Sequence, residues 1–264
     1  MTQEVTVHAV AQLAEALLEA EERRQAIDPL TDFYPNMTEE WAYRVQLAIV
    51  EGKLGRGLRI VGKKIGLTSR AMQQMLGVNQ PDYGHILDAM VWSEGEPVPL
   101  DRLIQPKCEG EVAFVLGEDI QGPGVNLAQV LKATRYVIPV IEIIDSRVRD
   151  WRIKLADTIA DNASSAMVVL GGRALPPREL DLRLTGMLLE RNGQVVATAA
   201  GAAVMGHPAA AVAWLANKLA LFDITLRAGE IVLAGAFCGA VTVGSGDAVT
   251  ATFDHLGSVT ARFV

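Results

Sequence analysis

Residues 104–116 read IQPKCEGEVAFVL, and two glutamates, Glu109 and Glu111, stand two apart at the mouth of an apolar run. Side chains alternate faces along a β-strand, so the pair shares one face with Cα atoms about 6.6–7 Å apart. Carboxylates are seldom buried without a partner that cancels their charge. A third carboxylate, Glu142, is the only charged residue in the eight-residue apolar run Val137 to Ile144. An isolated glutamate there would cost several kcal/mol or take up a proton. Two carboxylates from one strand and one from another make a three-oxygen face for a hard divalent cation. With no His or Cys in the set, Mg²⁺ or Mn²⁺ is favoured over Zn²⁺. The competing reading of Glu109 and Glu111 alone is the solvated face of an edge strand.

Such a face needs strands to carry it, and from residue 58 the chain breaks into short apolar runs punctuated by Gly, Pro, Asn and Asp. RIVGKKIGLTS, EVAFVL, YVIPVIEIID, SAMVVLGG, LTGMLLERNGQVVAT, GEIVLAGAF and DAVTATFDHLGSVTARFV all read as strands, and Asn192-Gly193 predicts a type I′ hairpin turn. Helices are predicted from Ser69 to Leu76, over 127–134, and from Pro208 through PAAAVAWLANKLALF. Before residue 58 the pattern is helical. Val7, Val10, Leu13, Leu17 and Leu18 form one stripe, and after the breaker DPLTDFYPNM, Thr38 can cap a second helix with Glu39 and Glu40 in its first turn. The fold class is therefore α+β, rich in β and without alternating βαβ units.

Bulk properties exclude several functions. Half of the 264 residues are hydrophobic and 21% are charged, a composition typical of globular proteins. The net charge of −7, with no Lys/Arg cluster longer than a pair, argues against nucleic acid. No GxGxxG or Walker A motif points to a nucleotide. Residues 192–217 lack Asp, Glu, Lys and Arg, but their Ala/Gly-rich core interrupted by GHP is too weak for a membrane span. Cys108 and Cys238 have no CxxC spacing, and no signal peptide is recognised, so free thiols in the cytoplasm are expected.

Five motifs, taken in order, carry a family likeness: GKKIGLTSRAMQQMLGVNQPDYG (62–84), IQPKCEGEVAFVL, IPVIEIIDSRVRDWR (138–152), DTIADNAS (157–164) and RAGEIVLAGA (227–236). Together they resemble the fumarylacetoacetate hydrolase superfamily, and more closely its 2-hydroxypentadienoate hydratase and 4-oxalocrotonate decarboxylase branch from bacterial meta-cleavage pathways. The likeness covers nearly the whole chain. It implies twisted mixed sheets forming a β-roll or sandwich, with a helical segment (1–57) ahead of a catalytic domain (58–264). It also implies that Glu109, Glu111 and Glu142 bind Mg²⁺ or Mn²⁺, that Lys64 is the lysine of the GxKxG motif, and that Asp82 and Ser164 line the pocket.

Each of these residues has a plainer reading beside the functional one. Lys64 is a general acid/base, an anchor for a substrate carboxylate, or a surface lysine; Lys63 must point the opposite way on a strand. A turn explains Asp82 in NQPDYG equally well. Asp157, Asp161, Asn162 and Ser164 are helix caps or pocket residues, and Arg147 and Arg149 hold an acidic substrate or sit in salt bridges. His8, His85, His207 and His255 have no ligand spacing and are read as structural.

The implied reaction is hydration of 2-hydroxypenta-2,4-dienoate to 4-hydroxy-2-oxopentanoate. The substrate's C1 carboxylate and C2 oxygen can chelate the cation, which then stabilises a dienolate. Decarboxylation of 4-oxalocrotonate (2-oxo-3-hexenedioate) shares the metal half and is the alternative. A third reading is a catalytically weak member that partners the true enzyme, since hydratase and decarboxylase of this branch are thought to work as a complex. A small-molecule substrate, a homo-oligomer and a companion hydratase or decarboxylase are the expected partners.

Overall fold

A computed structural model describes residues 7–264. The predicted first helix is α1 (Val7–Arg23), and Thr38 caps the second long helix, accepting from Trp41 N at 3.2 Å. Between them DPLTDFYPNM contains a single helical turn, α2 (Leu30–Phe33), and the capped helix is α3 (Glu39–Gly55). The α1 and α3 helices pack together, and α3 reaches the strands through Gln46, whose Nε2 donates to Tyr83 O at 2.9 Å and Ile159 O at 2.8 Å.

Strand β1 (Ile60–Gly66) leads to α4 (Arg70–Leu76), where the helix expected from Ser69 to Leu76 forms with Ser69 as its cap, accepting from Met72 N at 3.2 Å. The NQPDYG segment is not a turn. Asp82 opens β2 (Asp82–Leu87), a strand buried along its whole length and paired antiparallel with β1, so tertiary pairing overrides the local turn chemistry of Pro-Asp. Short strands β3 (Val91–Ser93) and β4 (Pro97–Val98) precede β5 (Lys107–Leu116), the strand of the EGE triplet. After α5 (Leu127–Ala133), β6 (Thr134–Ile144) carries Glu142. An unforeseen helix, α6 (Leu155–Ala160), precedes β7 (Ser165–Leu170).

The Asn-Gly hairpin joins β8 (Gly186–Arg191) to β9 (Gln194–Ala200), with φ of 54° and 75° at Asn192 and Gly193 as a type I′ turn requires. Helix α7 (Pro208–Leu219) begins with proline, and His207 Nδ1 caps it by accepting from Ala209 N at 3.0 Å. The chain ends in β10 (Ile231–Leu233), β11 (Val241–Thr242) and the hairpin β12 (Ala248–Phe253) and β13 (Gly257–Phe263). Among the described residues no helix is long and apolar enough to cross a membrane.

Two mixed sheets result. The larger has the order β2-β1-β10-β5-β6-β7-β3, with β11 also on β5, and the smaller is β4-β13-β12-β8-β9. The larger sheet curls until β2 meets β7, enclosing Ile86, Ala113, Ile138, Val140, Val168 and Leu233 as the filling of a roll. Its other face packs Phe114, Ile141 and Ile143 against Leu189, Val249 and Val259 of the smaller sheet. The site lies at one end of the roll.

Candidate metal centre

Register places Glu109 opposite Glu142 and Glu111 opposite Val140 on the antiparallel pair β5 and β6. The three glutamates therefore project from the same face as the roll's filling. Each offers a carboxylate oxygen, and the three oxygens lie within 4.8 Å of one another. The glycine between the β5 glutamates faces the other way. A Cβ on Gly110 would come within 2.6 Å of Met187 Sδ and 3.2 Å of Ala251 Cβ, so the EGE triplet combines convergent carboxylates with close sheet-on-sheet packing.

Strand β1 adds Lys64 to this face. Lys64 pairs across with Leu233, which pairs with Ala113, two residues from Glu111. The Lys64 ammonium lies 3.3 Å from Glu142 Oε2 and donates to Ala163 O at 3.1 Å. Lys63 points to the opposite face and pairs with Glu230 at 3.2 Å, as strand alternation predicts. Neither is a surface lysine, each being 3% exposed. Asp82 stands opposite Gly66, with Oδ2 accepting from Thr158 Oγ1 at 3.2 Å. A Cβ on Gly66 would collide with Asp82 Oδ1 and stand 3.3 Å from Lys64 Nζ, so the second glycine of GKKIG clears room for the Asp82 carboxyl.

Lys64, Asp82, Glu109, Thr158 and Ser164 line a cavity of about 690 Å³. Glu111 and Glu142 lie beneath Glu109, fully buried. The remaining wall is largely apolar, with Leu67, Met72, Ile144, Trp151, Ile153 and Phe237, plus half-buried Cys238. Lys107 also lines it, its Nζ 4.3 Å from the centre of the Trp151 ring. Another cavity, about 580 Å³ beside α1 and α2, has its charges paired with one another as Arg149 with Asp28 and Arg23 with Glu19.

The electrostatics of the large cavity are unbalanced. Glu111 Oε2 accepts from Gly235 N at 2.8 Å, but Glu111 Oε1 and both Glu142 oxygens are buried without a hydrogen-bond partner. Glu142 Oε2 has the Lys64 ammonium at ion-pair distance but not in hydrogen-bond alignment. Burial, then the charge of Glu142, pushes Glu109 up to about 7. The same two causes, with Glu109 added, raise Glu111 well above the usual carboxylate range. Burial also raises Asp82, against the pull of Lys64. Burial disfavours charge on Lys64, yet Glu142, Asp82, Glu109 and Glu111 outweigh it and hold the ammonium protonated. Three glutamates and one aspartate thus face one fully buried lysine, Lys64, with Lys107 farther along the wall. A divalent cation fits this donor set: the oxygens are hard, converge, and include three without a hydrogen-bond partner.

Other sequence candidates separate from the cavity. Arg147 is buried against Asp161 and Arg149 pairs with Asp28 at the surface, so neither arginine lines the pocket. Asp157 serves as a cap and tie, accepting from Lys154 N at 2.9 Å and Thr31 Oγ1 at 2.8 Å. Ser164 does line the cavity, its Oγ donating to Asp161 Oδ2 at 3.3 Å. Thr158, the Gly235 amide, the Ala163 carbonyl and the Lys107–Trp151 pair were not evident from sequence. Only Thr158 carried a cue, as a hydroxyl within DTIADNAS.

A rolled mixed sheet with three carboxylates converging from adjacent strands defines an α+β protein built to hold a divalent cation. Residues 65–264 match the family model described as fumarylacetoacetate (FAA) hydrolase C-terminal, and the chain belongs to this family. It is 50% identical over 216 residues to the 2-hydroxypent-2,4-dienoate hydratase of Pseudomonas putida, covering 81% of this chain and 97% of that one. It is 42% identical to the 4-oxalocrotonate decarboxylase of Pseudomonas sp. (strain CF600) over the full length of both. Among solved structures, 4-oxalocrotonate decarboxylase from Pseudomonas putida G7, complexed with magnesium and adipate, superposes with a TM-score of 0.97 at 41% identity, covering 100% of each chain.

Proposed function

We propose that this protein is a divalent-metal-dependent hydro-lyase that converts 2-hydroxypenta-2,4-dienoate to 4-hydroxy-2-oxopentanoate. The observation that carries the reading is the carboxylate trio beside Lys64, opening through Glu109 onto a cavity with a mainly apolar far wall. Similarity to named hydratases at 50% and 45% identity supports the hydro-lyase choice. Glu109, Glu111 and Glu142 would hold Mg²⁺ or Mn²⁺. When bound, such a cation supplies Lewis-acid stabilisation of negative charge on the substrate's C2 oxygen.

In the reaction, C5 gains a proton as the 2-hydroxyl loses one, giving a 2-oxo-3-enoate. Water then adds its oxygen to C4 and a proton to C3. Lys64, kept cationic by four carboxylates, holds a hydrogen-bond donor at the cavity wall for the substrate's anionic head. Asp82, raised by burial and aligned by Thr158, is suited to hold and return a proton. Ser164 offers its hydroxyl from the facing turn.

Lys107 favours a second reading. It lines the cavity, makes no ion pair among the described residues, and rests on the Trp151 face, where it could hold the second carboxylate of 4-oxalocrotonate. Incubating the protein and Mg²⁺ separately with the dienoate and with 4-oxalocrotonate decides. Loss of the dienoate supports hydratase, CO₂ release supports decarboxylase, and silence on both supports a non-catalytic partner of the true enzyme. The proposal extends to bacterial meta-cleavage catabolism in the cytoplasm, a homo-oligomer, a companion enzyme of the same branch, and a helical segment (1–57) serving a catalytic domain (58–264).

A further inference from the structure

Asn162, Ala163 and Ser164 have φ of 53°, 51° and 53°, three consecutive non-glycine residues in the left-handed region. Residues with a Cβ adopt this conformation singly and seldom, so a run of three persists only where surrounding contacts over-determine it. Here the main contact is the Asn162 side chain. Its Oδ1 accepts from His85 N at 2.8 Å and its Nδ2 donates to His85 O at 2.9 Å, reproducing on the free edge of β2 the bond pair another strand would make. The backbone of the turn rests directly on Gly84, where any Cβ would collide with Asn162 O.

The left-handed turn aims the Ala163 carbonyl at Lys64 Nζ, 3.1 Å away. An ammonium has three protons to place. One goes to Ala163 O, the one hydrogen bond that orients the ammonium, while Glu142 attracts it at ion-pair distance only. A right-handed turn would carry the Ala163 carbonyl elsewhere and leave Lys64 to settle among the carboxylates.

We propose that Asn162 is a positioning residue that clamps β2, maintains the left-handed turn and thereby fixes the direction of the Lys64 ammonium. This rests on the reading of Lys64 as a working group in the proposed reaction. The test measures kcat, KM, Mn²⁺ affinity and melting temperature for Lys64→Ala, Asn162→Gly and Gly84→Ala in the full chain. Glycine tolerates the left-handed backbone but removes the clamp; a methyl at Gly84 displaces the same turn from beneath.

For both turn variants kcat should fall by about 10- to 100-fold, as expected for misplacing a reacting group by about an ångström, while KM and Mn²⁺ affinity stay near wild type. A folded Asn162→Gly or Gly84→Ala protein with wild-type kcat overturns the proposal. So does a loss carried by KM or by Mn²⁺ affinity. Wild-type turnover in Lys64→Ala would instead remove the reading of Lys64 on which the proposal stands.

Discussion

Glu109 shows how proton and cation compete for one group. Burial and the neighbouring Glu142 charge push its carboxyl up to about 7, so near neutral pH the metal-free site is poised between carrying a proton and carrying an extra negative charge. A cation must displace that proton. Below pH 7 the displacement costs affinity, and above it Glu109 is already ionised and contributes no further cost. Mn²⁺ affinity, followed by titration calorimetry, is therefore expected to rise about tenfold per pH unit as pH climbs from 6 toward 7 for each proton displaced. The Glu109 contribution should level off beyond pH 7, and Glu111, raised by burial and by the Glu142 and Glu109 charges, adds a second proton to be displaced. In Glu109→Gln the slope should shrink by one proton. A pH-independent affinity in the wild type would contradict the carboxylate arrangement.

The α3 helix fixes β2 through a buried polar contact that also sets an acid limit on the fold. Because Gln46 Nε2 donates to two carbonyls, its Oε1 is the atom facing His85 Nδ1 at 3.1 Å, so His85 is the donor and carries its proton on Nδ1. Burial, with the Lys63 charge nearby, lowers His85 to about 3. In the unfolded chain a histidine titrates near 6.5, so between about 3 and 6.5 the unfolded state binds a proton that the folded state refuses. The stabilisation is fully present above pH 6.5 and is lost at about 1.4 kcal/mol per unit as pH falls below that value. Glu109 and Glu111, raised by burial, shift stability the opposite way over the same interval, so the His85 loss is read as the difference between wild type and His85→Gln in urea unfolding at pH 7.5 and 5.5: the wild type should lose stability relative to the variant at the lower pH. Packing between the sheets makes a second prediction. A Gly110→Ala methyl must displace Met187 and press on Ala251, so a cost of about 1–3 kcal/mol is expected, read as a lowered urea midpoint.

Across the molecule, what was legible in the sequence depended on how local its cause was. The EGE pair, isolated Glu142, the opposed Lys63 and Lys64, the Thr38 cap and the Asn-Gly hairpin follow from periodicity or short-range hydrogen bonding, and each stands where its pattern places it. Asp82 as a strand residue was not legible, because Pro-Asp-Tyr-Gly carries turn chemistry and only pairing with β1 overrides it. The burial of Arg147 against Asp161 and the Asn162 clamp on His85 likewise depend on contacts formed after the chain has folded. By the same long-range logic, a cation held by the trio would act as a structural tie. Strands β5 and β6 bring three carboxylates together, and in the metal-free fold their repulsion and desolvation oppose that pairing. A ligand bound only by the folded state stabilises by mass action, about 2.7 kcal/mol at a hundredfold excess over its dissociation constant. Melting temperature should therefore rise with the logarithm of Mg²⁺ or Mn²⁺ concentration and return to the metal-free value in excess EDTA. In Glu142→Gln, which leaves only two of the three converging charges, the dependence should be strongly weakened. A wild-type melting curve indifferent to both cation and chelator would mean that the trio does not bind the ion in the folded state.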